Sequence, residues 1–250
     1  MEQKLYMSDR AKNYPASGIR KMFDLAAQYP EAIKLTVGEP NFDTPQYIKE
    51  AAKKAIDEGQ THYAPNAGIP ELREAVADKY RKRYWEGYTK DHVIITVGAM
   101  EGLVLSMMLL LNPGDEILVP DPCFPNYYGQ ASIVGARAVP VPTYEKYDYR
   151  MQAADIEKAI TPHTRALLLN SPCNPTGAVL TKEDILAIAK VVQEHDLWVL
   201  TDEPYDAIVY GGVQPYSIAQ VPEVRDRVMV LNSFSKSYAM TGWRIGYLVA

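Results

Sequence analysis

The sequence predicts an α/β fold: a mostly parallel, seven-stranded sheet between helices, with room for one antiparallel strand. Three observations carry this expectation. Short apolar runs recur without polar alternation, as in strands buried on both faces. Helical patterns separate most of these runs, which is what parallel pairing of successive strands requires. The last two runs are joined by only about a dozen residues around Lys236, so the final strand is free to run antiparallel.

The elements follow in order. Residues before 30 are weakly periodic, with Ser17-Gly18-Ile19-Arg20 interrupting them ahead of a short helical pattern through Leu25. The stretch Leu35 to Pro45 is dense in turn formers and too rigid for a linker. Pro45 suits the first turn of a helix capped by Thr44 and running to Gly59. After the turn-rich Tyr63–Pro70, a helix over Glu71–Tyr84 places Leu72, Ala75, Val76 and Tyr80 on one face. Strands are expected at Val93–Val97, Glu116–Pro120, Ala136–Val141, Arg165–Asn170, Leu197–Asp202, Val228–Leu231 and Ile245–Ala250. Helices are expected from Gly98 to Leu111, around Tyr127–Val134, over Ala153–Ile160 and from a cap at Thr181, with Ile185, Ile188 and Val192 inward.

Composition bounds the function. The 250 residues are 47% hydrophobic and 23% charged, as in soluble globular proteins able to bury a substantial core. A net charge of −5 argues against general affinity for nucleic acid or acidic membranes, though not against one local phosphate pocket. Cys123 and Cys173 show neither metal nor redox spacing, and a reducing cytosol is the simplest compartment. The N-terminus lacks a signal-peptide core, and no run approaches the ~20 apolar residues of a membrane span. His62, His92, His163 and His195 are scattered without ligand spacing, so no metal is expected.

Chemistry gathers at the predicted strand ends, where ligands bind in open α/β sheets. Ser233-Phe234-Ser235-Lys236 follows one strand, and Arg244 returns eight residues later. A lysine there offers a Schiff-base nucleophile, and serine hydroxyls with a guanidinium suit a phosphate. That combination points to pyridoxal phosphate, with a solvated loop lysine as the alternative. Gly98-Ala99-Met100 offers free backbone N–H groups at a helix start, a ready anion site. Asn174, fixed between prolines in Ser171–Gly177, either donates to a ligand oxygen or closes its own turn. Asp202 ends an apolar strand and needs a partner, such as a protonated ring nitrogen, a helix N-terminus or a buried arginine. Glu203 alternates to the other side, so the two do not form an acid pair.

Taken together these residues resemble the pyridoxal-phosphate-dependent aminotransferases of class I/II, the aspartate aminotransferase superfamily. The resemblance runs in order through Gly38-Glu39-Pro40, Tyr63 with Gly68–Arg73, Gly98-Ala99, Asn174–Gly177, Asp202–Tyr205 and Ser233–Lys236 to Trp243–Gly246. It covers nearly the whole chain from about residue 15. It implies transamination between an L-amino acid and a 2-oxo acid through a Lys236 aldimine, with Lys236 then moving the substrate α-proton. It further implies that Asp202 keeps the pyridine nitrogen protonated, that Tyr205 and Asn174 donate to the phenolic oxygen, and that Phe124 stacks on the ring, a plain core phenylalanine being its alternative. The phosphate would meet the N–H groups of Ala99 and Met100, the hydroxyls of Ser233 and Ser235, and Arg244. Tyr63 would reach a neighbour's phosphate across a homodimer, and Gly38 with Asn174 would meet the substrate.

The same resemblance divides the chain into an arm and small-domain segment over residues 1–45 and a cofactor-binding large domain over 46–250. The family's small C-terminal domain, with the arginine that pairs with the substrate carboxylate, has no counterpart here. The expectation, ahead of a chain that works without that domain, is a piece of a longer enzyme that holds the cofactor weakly or not at all as isolated, because an open cleft stays wet. The same scaffold serves β-elimination or cyclopropane-forming chemistry, and an aminotransferase-like module without catalysis is the reading from another class.

Overall fold

The computed structural model describes residues 6–12, 14, 18, 22, 25–29, 31–33 and 38–250. Ser17, Ile19, Arg20 and the run Leu35 to Val37 lie outside the described residues. The strands are β1 (Val93–Thr96), β2 (Glu116–Asp121), β3 (Arg137–Pro142), β4 (Thr164–Asn170), β5 (Trp198–Asp202), β6 (Val228–Ser233) and β7 (Gly246–Val249). They form one sheet in the order β1-β7-β6-β5-β4-β2-β3. Only β7 is antiparallel, to β1 on one side and β6 on the other. The strand with the short connection through Lys236 is therefore the reversed one, as the loop length allows.

Side chains alternate between two cores, because successive strand residues face opposite ways. Leu167, Leu169, Val199, Val228 and Val230 meet Val76, Ala77 and Tyr80 of α2 (Pro70–Arg83), Ile156 of α5 (Ala153–Ala159) and Ile185, Ile188 and Val192 of α6 (Lys182–Glu194). Leu168, Leu200 and Leu231 meet Leu103 and Met107 of α3 (Gly98–Leu110) and Tyr127 and Ala131 of α4 (Asn126–Ile133). Burying both sheet faces explains why the strands read as continuous apolar runs.

Local signals set most element starts. Thr181 caps α6 in a reciprocal box: its hydroxyl accepts from Asp184 N (3.1 Å), and Asp184 accepts from Thr181 N (2.9 Å). The helix after Pro45 forms as α1 (Gln46–Asp57), but Thr44 does not cap it. Its hydroxyl instead donates to Ala239 O (2.5 Å) and accepts from Trp243 Nε1 (3.1 Å), fastening the loop before α1 to the Lys236 loop. The inward face of α2 also differs. Ala75 is exposed and Ala77 buried, because the stripe runs through Arg73, Val76, Ala77 and Tyr80, with Arg73 donating to Val93 O at 2.9 Å.

Glycine fixes how closely β7 approaches α3. A Cβ at Gly246 would stand 2.5 Å from Gly98 C and 2.6 Å from Ala99 N, both backbone atoms that cannot rotate away. In the same loop, Gly242 has nothing within 4 Å of an added Cβ. Alanine at Gly246 is therefore expected to destabilise the protein by about 2 kcal/mol or more through overpacking. Gly242→Ala is expected to be close to neutral, and urea denaturation of the two variants makes the comparison.

Candidate active site

The six mutually parallel strands β1 to β6 end on one edge of the sheet, and reversed β7 begins there, with Gly246 opposite both Thr96 and Ser233. Parallel pairing brings together side chains far apart in sequence. Asn170 pairs with Asp202 across β4 and β5, and Ser233 ends the next strand. A cavity of ≈ 360 Å³ opens at this edge. It is lined by Gly38, Ala99, Met100, Phe124, Asn174, Asp202, Tyr205, Ser233, Ser235, Lys236 and Arg244. Tyr63 is not among its lining residues and is fully exposed. A more open cavity of ≈ 640 Å³ adjoins it at Thr241, lined by Glu39 and Asp43 but by no lysine or arginine. Of the two, the smaller combines an amine, a guanidinium and a buried acid, so the chemistry is sought there.

Asp202 sits at its floor, 6% exposed. Tyr127 Oη donates to Asp202 Oδ2 at 2.7 Å, while Oδ1 is buried without a protein partner among the described residues. Burial pushes this carboxyl up to about 7, opposed by the Tyr127 hydrogen bond and reinforced by the Glu203 charge. Lys236 donates to Gly38 O, and its amine lies 5.9 Å from the Tyr205 ring centroid. Burial lowers its pKa; the Glu39 carboxylate opposes that shift, and the nearby Arg244 charge adds to it. Tyr205 is raised by burial and by Asp202, with a hydrogen bond to Asn174 acting the other way.

One end of the cavity is lined by backbone at the start of α3. The first N–H groups of α3 have no intrahelical partner, and Ala99 and Met100 supply two of them. Gly98 has φ +67, and a Cβ there would come within 2.7 Å of Arg244 Nη2, so glycine admits the guanidinium. Arg244 is itself left-handed (φ 55) and is braced by Nη1 donating to Thr241 O at 2.7 Å. The Ser235 N–H donates to Ser233 Oγ (3.3 Å), which sets both hydroxyl-bearing residues at the same end.

Sequence reasoning missed Tyr127 and Asn170 as functional side chains. Asn170 Nδ2 donates to Asp202 O (2.8 Å), and its Oδ1 accepts from Asn174 N (2.7 Å), joining the acid to the Asn174 turn. A polar residue ending an apolar strand was the available signal for Asn170. Tyr127 carried none, since a tyrosine on an apolar helix face looks like core. Glu203 does face away from Asp202, into the α2 side of the sheet, where Tyr84 Oη donates to it at 2.8 Å. Phe124 meets Tyr127 edge-on (5.7 Å, 82°) at the cavity wall. Burial raises both thiols, Cys123 to about 12, which keeps them unreactive. No group of three or more His, Cys, Asp or Glu suited to a metal occurs among the described residues.

An amine, a guanidinium and a buried acid thus meet at the strand-end edge of an α/β sheet. The sequence matches the family "Aminotransferase class I and II" over residues 30–250, and the chain belongs to it. It is 47% identical over 98% of its length to aromatic-amino-acid aminotransferase 2 of Thermococcus litoralis and 45% identical, over the same share, to an aspartate aminotransferase of Pyrococcus abyssi. Among solved structures, it superposes on the Thermus thermophilus aspartate aminotransferase with maleate at TM-score 0.92 and 38% identity, over 98% of this chain and 65% of that one. A Pyrococcus horikoshii aromatic aminotransferase matches at TM-score 0.86 and 43% identity, over 93% of this chain and 62% of that one. The chain spans 63% of the length of the Thermococcus and Pyrococcus abyssi relatives.

The Asp202 shift has a consequence for stability. Its folded-state pKa lies above the ordinary carboxylate range, so the unfolded chain loses this proton first as pH rises. Stability from this group is full at low pH and is lost between pH ~4 and ~7. Asp202→Asn is expected to remove that part of the slope in the cofactor-free protein, read from urea midpoints across pH.

Proposed function

We propose that the protein is a pyridoxal-phosphate-dependent aminotransferase that exchanges the amino group of an L-amino acid with a 2-oxo acid. The observation that carries this reading is the buried, unpartnered Oδ1 of Asp202 in the same cavity as the Lys236 amine. A buried carboxylate oxygen left without a protein donor calls for a cationic N–H, which a pyridinium supplies. When bound, the cofactor supplies an electron sink for the carbanion formed at the substrate α-carbon.

The chain's own residues then divide the work. Lys236 would hold the cofactor through its amine, and the same amine is placed to take and return a proton at the substrate α-carbon. Its lowered pKa favours the neutral amine that both tasks need. Asp202 would hold a proton on the ring nitrogen, Asn174 and Tyr205 would donate to the phenolic oxygen, and Phe124 would pack against the ring. Ala99 and Met100 N–H, the Ser233 and Ser235 hydroxyls and the Arg244 fork hold the phosphate. Gly38, with Asn174, meets the substrate carboxylate. In this reading residues 46–250 form the cofactor-binding unit, and residues 1–45 the arm and small-domain segment.

Tyr63 serves a second copy. Its complete exposure fits a residue that reaches the phosphate of a homodimer partner. The free thiols Cys123 and Cys173 fit a reducing cytosol. The names of the relatives include both aromatic and aspartate aminotransferases, so the substrate is sought in those two classes.

Added pyridoxal phosphate is expected to give a visible absorption band that disappears in Lys236→Ala, and its absence in the folded protein would sink the catalytic reading of this chain. Arg244→Gln is expected to weaken cofactor binding by roughly tenfold or more through the lost charged contact, measured by titrating the same band. In a panel of aromatic and dicarboxylic amino acids, 2-oxo acid exchange is expected; release of ammonia and pyruvate would indicate a lyase instead.

A further inference from the structure

Behind the cavity, on the opposite face of the sheet, lies a carboxylate that the proposed reaction does not use. Glu203 follows Asp202 directly and is 3% exposed. It takes three hydroxyl donors from three parts of the chain: Tyr84 Oη on Oε2 (2.8 Å), and Thr201 Oγ1 (2.8 Å) and Ser217 Oγ (2.5 Å) on Oε1. Its backbone N–H donates to Leu231 O (2.8 Å), carrying the β5–β6 ladder one residue past Asp202. Among the described residues, no cation forms an ion pair with it. The nearby Lys79 and Arg83 are both taken by Asp206 Oδ2, at 2.9 and 2.6 Å.

A buried carboxylate held only by neutral hydroxyls is costly as a stability device, since an apolar side chain would fill the space at lower cost. What it provides is direction. It fixes the chain at the one point between Asp202 and Tyr205 where β5 gives way to a turn. Asp202 itself has a single side-chain bond, from Tyr127, so its aim depends on where the backbone holds it.

Resting on the function proposed above, we infer that Glu203 is a positioning residue: anchored by Tyr84, Thr201 and Ser217, it holds the free oxygen of Asp202 aimed into the cofactor cavity. Burial raises the Glu203 pKa and the three hydroxyls oppose that rise. The titratable groups facing Glu203 are Tyr80, Tyr84 and Tyr88 with Asp206, and those acting on Asp202 are Tyr127, Tyr205, Cys173 and Glu203 itself, whose charge raises it.

The test compares Tyr84→Phe/Ser217→Ala, which removes two anchors, with Glu203→Gln, which keeps the shape and lets the hydroxyls rotate to suit an amide. In the cofactor-free protein, the Asp202 carboxyl is followed by NMR across pH, and pyridoxal phosphate and inorganic phosphate are titrated separately. The double variant is expected to lower the Asp202 midpoint toward the ordinary range as its aim relaxes into water. It is also expected to weaken pyridoxal phosphate about tenfold or more, the loss of one hydrogen bond between charged groups. Inorganic phosphate binding is expected to stay unchanged, and Glu203→Gln to retain most of the affinity. If the double variant does not fold, Ser217→Ala alone carries the same comparison. An unchanged Asp202 titration and cofactor affinity in folded variants would overturn the inference, as would equal weakening by Glu203→Gln, which would assign the effect to charge. Failure of the functional proposal is separate: the unsubstituted protein would then give no visible band, while the Asp202 titration remains readable.

Discussion

A carboxylate sealed at the end of β5 is costly unless something compensates it, and the neighbouring residues are arranged around that cost. Tyr127 from α4 satisfies one oxygen, Asn170 from β4 holds the backbone carbonyl, and Tyr84 ties down the next residue, Glu203, from behind. The other oxygen is left without a protein partner among the described residues. Desolvation that penalises an unpaired charge also strengthens its attraction for a cationic ligand, so the same burial that raises the Asp202 pKa supplies binding energy. The compensation is divided between helices and strands from separate parts of the chain, which is why the acid depends on the whole sheet.

Reversal of β7 serves the same edge. A parallel final strand would begin at the far end of the sheet, and Arg244 would lie a full strand length from Ser233. Running antiparallel, β7 starts where the others finish, so Arg244 joins the serines and the α3 N-terminus. Gly98 and Gly246 make that approach sterically possible, because a Cβ at either would strike the guanidinium or the backbone beside it. The meeting of Arg244, the serines and the α3 N-terminus is therefore a product of topology and two missing side chains.

The sheet, its mostly parallel pairing and the free direction of the last strand were legible in the sequence because burial on both faces leaves unbroken apolar runs. The lysine, arginine and serines were singled out because an amine, a guanidinium and hydroxyls together are an uncommon combination in a strand-end loop, and the structure brings them to one cavity. Thr44 and Ala75 were misread, because a cap signal and a helical stripe are local patterns that a tertiary hydrogen bond or a small rotation of the helix can override. Tyr127 was invisible, since its hydroxyl acquires meaning only through an acid 75 residues away in the chain.

By itself, the sequence determined which groups are available: the amine, the acid, the guanidinium and the glycines, and the two-sided sheet that carries them. The tertiary structure alone decided that they meet. Strand order and register put Asn170 beside Asp202 and Gly246 beside Ser233, and neither follows from local propensity. It also decided that one oxygen of Asp202 stays unpaired while Glu203, the adjacent residue, is fully engaged on the opposite face. Pairing register and solvent exclusion are properties of the assembled sheet, and they turn two neighbouring acids in one motif into groups with different tasks.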